Sequence, residues 1–327
     1  MRRVAKTLAA LALLAGMLAS GVATAAEELT LLTTVVRAVN LPMLVGLRLL
    51  EREDGIKVSV KDVRTPESVM LAVIDGQGQM GTGFAPFYPA VEKGAPVKGL
   101  MELSRVEFVI MAKKEIATPQ ALNGVRVASH SPKSTVQSLL EYYFASHPGI
   151  KPNIVFIPEG SPARASALMR GAVDAAAFDL SSAKTVSDTA PGKFHVLVDF
   201  TNEPISSNLL VFNPAYAKAH PDVVNKVLLR MVESYRRGVA DPRFWVRERG
   251  DWLKEIDDAK LEAQMRDVAR IVDVNGGLER LRGPAAMKNL EFQVTAGNLS
   301  GPVSKWKPEQ FFDTEPLEAV LKQTGRK

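Results

Sequence analysis

The residues able to do chemistry in this chain are few in kind and scattered in sequence. Cysteine is absent. That removes thiolate nucleophiles, thiolate metal sites, iron–sulfur clusters and disulfides together. The four histidines, His130, His147, His195 and His220, lack the spacing of a metal site. His147 and His220 each precede a proline and read as loop residues; His130 alone, just past a strand end, is kept as a candidate. No P-loop, H-E-x-x-H or G-x-S-x-G pattern occurs. Gly76-x-Gly78-x-x-Gly81 has the spacing of a dinucleotide fingerprint. Here, however, a helix precedes the glycines and a strand follows, the reverse of what pyrophosphate binding needs.

What remains is a set of polar groups at turns where strands give way to helices. A helix N-terminus carries unpaired N–H groups and about half a positive charge, so such turns can hold an anion. Five are legible: Thr33 to Leu41, Thr82 to Phe87, Ser129 to Gln137, Glu159 to Arg164, and Asp179 to Ser182. The first offers Arg37 and Asn40. Arg37 has no obvious helical partner and suits bidentate contact with a carboxylate or sulfonate. The second offers Thr82, and Phe84 and Phe87 as an apolar wall with Tyr88. The third, "SHSPKSTVQ", offers His130, Lys133, Ser134 and Thr135, with Gln137 placed to complete a capping box. Arg164 comes from the fourth, and Asp179 and Ser181 from the fifth. These are ligand-binding candidates; no catalytic or metal-ligating residue and no cofactor is expected.

Those turns require an alternation of strands and helices. Leu29 to Val36 reads as a buried strand, Pro42 to Glu53 as a helix with proline in its first turn, and Ile56 to Val60 as a strand. Pro66 to Asp75 (helix), Met80 to Gly83 (strand), Ala85 to Lys93 (helix) and Val97 to Leu103 (strand) follow. Glu107 to Ala112 is a further strand, and from Val125 the order recurs. Gly55-Ile56-Lys57 is echoed by Gly149-Ile150-Lys151, 94 positions on, and Gly76 by Gly171, 95 positions on. Two similar α/β units, each with a mostly parallel sheet, are therefore expected. Beyond Pro214 the chain reads as helices, among them Pro221 to Val239, Trp245 to Ile256, Asp258 to Asn275 and Pro284 to Leu299.

The 327 residues, 46% apolar and 24% charged, suit about two globular domains. Residues 1–25 read as a secretory signal: Arg2, Arg3 and Lys6, then an apolar run from Leu8 to Ala19, then the cleavage site Ala23-Thr24-Ala25. Those three cations supply part of the formal net charge of +5. The remaining charges are interspersed, so a nucleic-acid partner is not expected. No second long apolar run occurs, so the mature protein is not expected to be membrane-embedded.

Three segments then carry a resemblance. "ALNGVRVASHSPKSTVQSLLEYYF", "ASALMRGAVDAAAFD" and "NLLVFNPAYAKAHPDVVNKVLLRMVESY" resemble the nitrate/sulfonate/taurine-type substrate-binding proteins of bacterial ABC importers, which share the NMT1/THI5-like fold. Leu122-x-Gly124-x-Arg126-Val127 resembles that family's strand opening, and Leu168-x-x-Gly171-x-Val173-Asp174-Ala175 its second signature. The loop 129–135 departs from the Gly/Ser-rich pattern, carrying His130, Pro132 and Lys133. The resemblance implies a type II periplasmic binding protein of the α/β class, with a hinge and C-terminal helices. Lobe 1 would be 26–104 with 201–327, and lobe 2 would be 105–200. It implies a periplasmic monomer that passes a small organic anion to an ABC permease and its ATPase. A neutral heterocycle such as a thiamine pyrimidine precursor is the alternative ligand. An enzyme of the same fold is disfavoured, because the synthases of that class rely on a cysteine-rich segment.

Overall fold

The computed structural model describes residues 28–327 apart from Val35, Phe84 and Pro204. The expected export segment, 1–25, and the candidate Phe84 lie outside the described residues.

The strands are β1 (Glu28–Thr33), β2 (Lys57–Asp62), β3 (Met80–Gly83), β4 (Lys98–Arg105), β5 (Phe108–Lys113), β6 (Arg126–Ser129), β7 (Asn153–Phe156), β8 (Ala175–Asp179), β9 (Phe194–Asp199) and β10 (Ser206–Phe212). The helices within the two α/β units are α1 (Leu41–Asp54), α2 (Pro66–Ile74), α3 (Phe87–Glu92), α4 (Thr135–Ala145), α5 (Ser161–Met169) and α6 (Leu180–Thr189). After β10 come α7 (Pro214–Ala219), α8 (Pro221–Ala240), α9 (Arg243–Arg247), α10 (Asp258–Ile271), α11 (Gly283–Thr295), α12 (Pro308–Phe311) and α13 (Glu315–Thr324).

Two five-stranded sheets result, in the orders β2-β1-β3-β10-β4 and β7-β6-β8-β5-β9. The orders are the same once β6, β7 and β8 are set against β1, β2 and β3. Each sheet is parallel but for one strand, β10 in the first and β5 in the second. That strand is the one by which the chain comes in from the other lobe. The echoed glycines Gly55, Gly149, Gly76 and Gly171 all have positive φ, between 70° and 102°, which glycine adopts without steric cost.

The central strands are buried on both faces, which explains their nearly unbroken apolar runs. Side chains alternate between two cores. Leu210 and Phe212 of β10 enter one core of lobe 1, while Leu209 and Val211 enter the other. In lobe 2, Ile110 and Ala112 of β5 face one way, and Val109 and Met111 the other. The crossovers run side by side, with the Val106 N–H donating to the Ile205 carbonyl at 3.1 Å.

Most expected elements occur with shifted ends, and the C-terminal region departs most. Helix α11 packs into both lobes: Ala286 and Leu290 join a core of lobe 1, whereas Phe292 and Ala296 join a core of lobe 2. The helix expected over Trp245 to Ile256 is instead the short α9 followed by turns. Gly250, with φ of 61°, breaks it, and a side chain there would collide with the Arg48 guanidinium. The helix expected to reach Asn275 stops at Ile271, because Val272 is extended. The short helices α7 and α12 lack the apolar periodicity that reveals longer ones.

Candidate functional site

Between the lobes lies a cleft of about 360 Å³. Its walls are built by the turns that follow β1, β2, β6, β7 and β8. Lobe 1 contributes Thr34, Val36, Arg37 and Ala38 after β1, and Arg64 and Pro66 after β2. Lobe 2 contributes His130 and Ser134 to Val136 after β6, Pro158 to Pro162 and Arg164 after β7, and Asp179, Ser181 and Ser182 after β8. Phe108 of β5 adds an aromatic face. Four of the five turns legible in the sequence thus converge; of the turn Thr82 to Phe87, no described residue lines the cleft.

The three lobe 2 helices begin at this cleft, each with a different local solution for its exposed N–H groups. Ser134 caps α4: its Oγ accepts from the Gln137 N–H at 3.2 Å and donates to the Ser131 carbonyl at 2.8 Å. The reciprocal half of the expected capping box is absent, because the Gln137 amide reaches forward to Glu141. Asp179 caps α6, its Oδ1 accepting from the Ser182 N–H and the Ser181 hydroxyl at 2.8 Å each. Helix α5 starts at Gly160, with no side-chain cap.

Arg37 does not stand free for a ligand as its sequence position suggests. Its Nη1 donates to Glu107 Oε1 at 2.8 Å and to Asp179 Oδ2 at 2.9 Å. The fold brings those carboxylates, 70 and 142 positions away, onto it. Burial pushes the Asp179 carboxyl up, but Arg37, the Ser182 N–H and the hydroxyls of Ser161 and Ser181 outweigh it, holding the group well below the usual carboxylate range. Glu107, equally buried, is pushed up to about 7, with Arg37 opposing and Asp179 adding to the shift.

Arg164 is the other buried cation, only 1% exposed. Nε donates to the Ala177 carbonyl at 2.7 Å, Nη1 to the Ile157 carbonyl at 3.3 Å and Nη2 to Ser161 Oγ at 2.9 Å. All three acceptors are neutral, and among the described residues no carboxylate ion-pairs with it. Three bonds occupy three of the five guanidinium N–H groups. Burial lowers its pKa to about 10, Arg37 adding and Asp179 opposing, so it remains charged at neutral pH. His130 is pulled down to about 4 by burial and by Arg164 and Arg37, against Glu67 and Glu159. It is neutral at pH 7, with Nδ1 3.3 Å from Ser131 Oγ.

Of the remaining candidates, Asn40, Thr82, Lys133 and Phe87 do not line the cleft. Asn40 braces the turn, its Oδ1 accepting from the Arg37 N–H at 2.8 Å. Thr82 is buried and donates to Thr33 Oγ1 at 3.1 Å, tying β3 to β1. Lys133 is exposed. Phe87 is no cleft wall: as the first residue of α3 it is fully buried, edge-on to Tyr88 at 5.2 Å and stacked on Phe312 at 6.3 Å. Thr135 lines the cleft and touches lobe 1, its Oγ1 accepting from the Ala85 N–H at 3.4 Å. Ser131 of lobe 2 likewise donates to Glu67 of lobe 1 at 3.1 Å.

Sequence reasoning missed Leu253, Glu255, Ile256 and Gln264, which the C-terminal region sends into the cleft. For Leu253, Glu255 and Ile256, Gly250 was the available signal, since a glycine amid polar residues more often ends a helix than continues one.

The comparisons agree with this architecture. A profile described as NMT1/THI5 like matches residues 52–243. The taurine-binding periplasmic protein of Escherichia coli K12 is 26% identical over 207 residues, 60% of this chain and 62% of that protein. The match thus spans less than two thirds of the relative's length. A solved structure from Bordetella bronchiseptica RB50 superposes with a TM-score of 0.73 at 15% identity, covering 92% of this chain and 98% of that one. The periplasmic nitrate-binding protein NrtA of Synechocystis PCC 6803 gives 0.70 at 10% identity, covering 91% and 89%. The periplasmic aliphatic sulphonate binding protein SsuA of Escherichia coli gives 0.60 at 18% identity, covering 75% and 84%. The fold is the two-lobed one of periplasmic binding proteins, and the chain belongs to the NMT1/THI5-like family.

Proposed function

We propose that the protein is the substrate-binding component of an ABC importer, exported to the periplasm through residues 1–25. It captures a small organic anion between its lobes and passes it to a membrane permease driven by an ATPase. The observation that carries this reading is Arg164. A buried guanidinium bonded only to neutral acceptors is costly to keep charged. An anion in the cleft would compensate it with charge-assisted hydrogen bonds. Val36, Ala38, Phe108, Val136, Pro162, Leu253 and Ile256 give the cleft apolar walls, suited to the carbon part of such a ligand. The sulfonate, taurine and nitrate binders among its relatives and structural neighbours support the same choice.

A neutral heterocycle is the weaker reading. Its expected aromatic wall is reduced by the placement of Phe87 in the core, leaving Phe108 as the aromatic ring on the cleft wall among the described residues. An enzyme is weaker still: among the described residues no His/Cys/Asp/Glu cluster suits a metal, and His130 is held neutral without a carboxylate to orient it.

The test is a melting screen of the purified protein against sulfonates, carboxylates, nitrate and uncharged pyrimidines, followed by calorimetry. An organic anion is expected to raise the melting temperature by several degrees. Arg164→Gln is expected to weaken its binding about 10- to 100-fold. Stabilisation by a pyrimidine and by no anion would overturn the assignment.

A further inference from the structure

His130 stands on the cleft wall, in the loop between β6 and α4. No carboxylate touches its ring, but one acts on it through Ser131. The Ser131 hydroxyl donates to Glu67 Oε1 at 3.1 Å, and the same oxygen lies 3.3 Å from His130 Nδ1. A serine hydroxyl has one proton to give. Glu67 claims it: the second carboxylate oxygen, Oε2, is buried without a partner among the described residues, so this carboxylate is short of donors. With its proton committed, Ser131 Oγ accepts from the ring, which requires the N–H on Nδ1. A neutral imidazole has a single N–H, so Nε2 is left as an acceptor. Among the described residues nothing donates to it.

The surroundings decide which donor suits Nε2. Burial, then Arg164 and Arg37, disfavour positive charge at the ring and outweigh Glu67 and Glu159. A neutral O–H therefore suits this nitrogen better than an ammonium group. Arg164, in the same lobe, keeps its remaining guanidinium N–H groups for the acid. The chain of bonds also crosses between the lobes, since Glu67 is in α2 of lobe 1 and Ser131 and His130 are in lobe 2. Parting the lobes takes Glu67 from Ser131. The freed hydroxyl then donates to Nδ1, the ring proton moves to Nε2, and the acceptor is lost.

Resting on the reading of the cleft as an organic-anion site, we propose that His130 is a specificity-determining residue, whose Nε2 accepts the O–H of a hydroxyl-bearing organic anion with its acid group on Arg164. Glu67 is a positioning residue that acts through Ser131 to set the tautomer. The ligand hydroxyl thereby favours the form in which the lobes touch.

Calorimetry on matched pairs, each exchanging a hydroxyl for a methyl group, reads the selectivity: isethionate against propanesulfonate, and lactate against isobutyrate. The wild-type protein is expected to prefer the hydroxyl member of at least one pair about 3- to 10-fold, the scale of one neutral hydrogen bond. His130→Phe, which keeps a ring but no acceptor, is expected to bring that ratio close to one. Nitrogen NMR of histidine-labelled protein reads the tautomer, the signal lost in His130→Phe or His130→Gln identifying His130. With a donor-free anion bound, so that the ligand does not choose the tautomer, the wild type is expected to show Nδ1–H. Glu67→Leu, which releases the Ser131 hydroxyl, is expected to show Nε2–H; a merely structural role for Glu67 would not move that proton. Equal affinities within both wild-type pairs, a ratio that His130→Phe leaves intact, an Nε2–H ring in the bound wild type or an Nδ1–H ring in Glu67→Leu would overturn the proposal and leave the anion reading standing. Failure of all four compounds, with other anions bound, also rejects it; failure of every anion rejects both.

Discussion

Arg37 of lobe 1 donates a 2.9 Å hydrogen bond to Asp179 of lobe 2, and the same nitrogen reaches Glu107 at the crossover. One side chain thus joins both lobes and a connecting strand. The contact is charge-assisted and mostly shielded from water, Arg37 being 23% and Asp179 3% exposed at their side chains. Such pairs matter more than surface pairs.

Replacing Arg37 by Met leaves two buried carboxylates facing each other. The variant is expected to lose about 2–3 kcal/mol of stability. Without ligand it is also expected to show a larger radius of gyration by small-angle scattering, because the lobes lose their tie. An unchanged radius together with an unchanged melting temperature would mean that Arg37 holds nothing shut.

The pH dependence separates two buried groups of opposite sense. Burial raises Glu107 from 4.5 to about 7, so between these values the folded protein keeps a proton that the unfolded chain releases. Stability from this group is present below pH 4.5 and falls as pH rises through 7. His130, lowered from 6.5 to about 4, does the reverse: the unfolded chain takes the proton, and stability rises with pH from 4 to 6.5. The two contributions oppose each other over the shared range. Glu107→Gln keeps an acceptor for Arg37 but removes the falling contribution. Its melting temperature is expected to climb more steeply than that of the wild type between pH 4.5 and 6.5. Parallel curves for the two proteins would contradict the assignment of the titration to Glu107.

Phe87 tests the boundary between packing and binding. Its ring is fully buried among Tyr88, Phe311 and Phe312. Phe87→Ala is expected to cost about 3–5 kcal/mol by cavity formation. Affinity for the anion, measured by calorimetry below the variant's melting transition, is expected to stay within about twofold, since no ligand contact is lost. A large loss of affinity at constant fold would return Phe87 to the cleft.

The legible parts of the fold are those governed by local chemistry. Strands buried on both faces leave apolar runs, prolines such as Pro42, Pro66 and Pro221 mark helix starts, and Gly55 and Gly76 mark stops. Seven of the candidate residues, Arg37, His130, Ser134, Thr135, Arg164, Asp179 and Ser181, line one cleft for the same reason: strand ends in such sheets point to the same crevice. The partners of those residues were not legible. Nothing near Arg37 announces Glu107, which the crossover brings close, or Asp179, which stands at the end of β8. Phe87 misled because a residue just past a strand end can face either inward or outward. Gln264 sits in mid-helix, where the sequence gives no sign that its face meets a ligand cleft.

Helix α11 constrains how the protein can let anything in. Its Leu290 is rooted in one half of the molecule and its Phe292 in the other, with Phe292 against Tyr142 at 5.1 Å and the neighbouring Asn298 bonded to Ser138 at 2.7 Å. Drawing the halves straight apart would pull an aromatic ring out of its socket. A swivel about the axis of α11 keeps both anchors seated. Any opening of the cleft that spares both anchors would thus have to turn about α11.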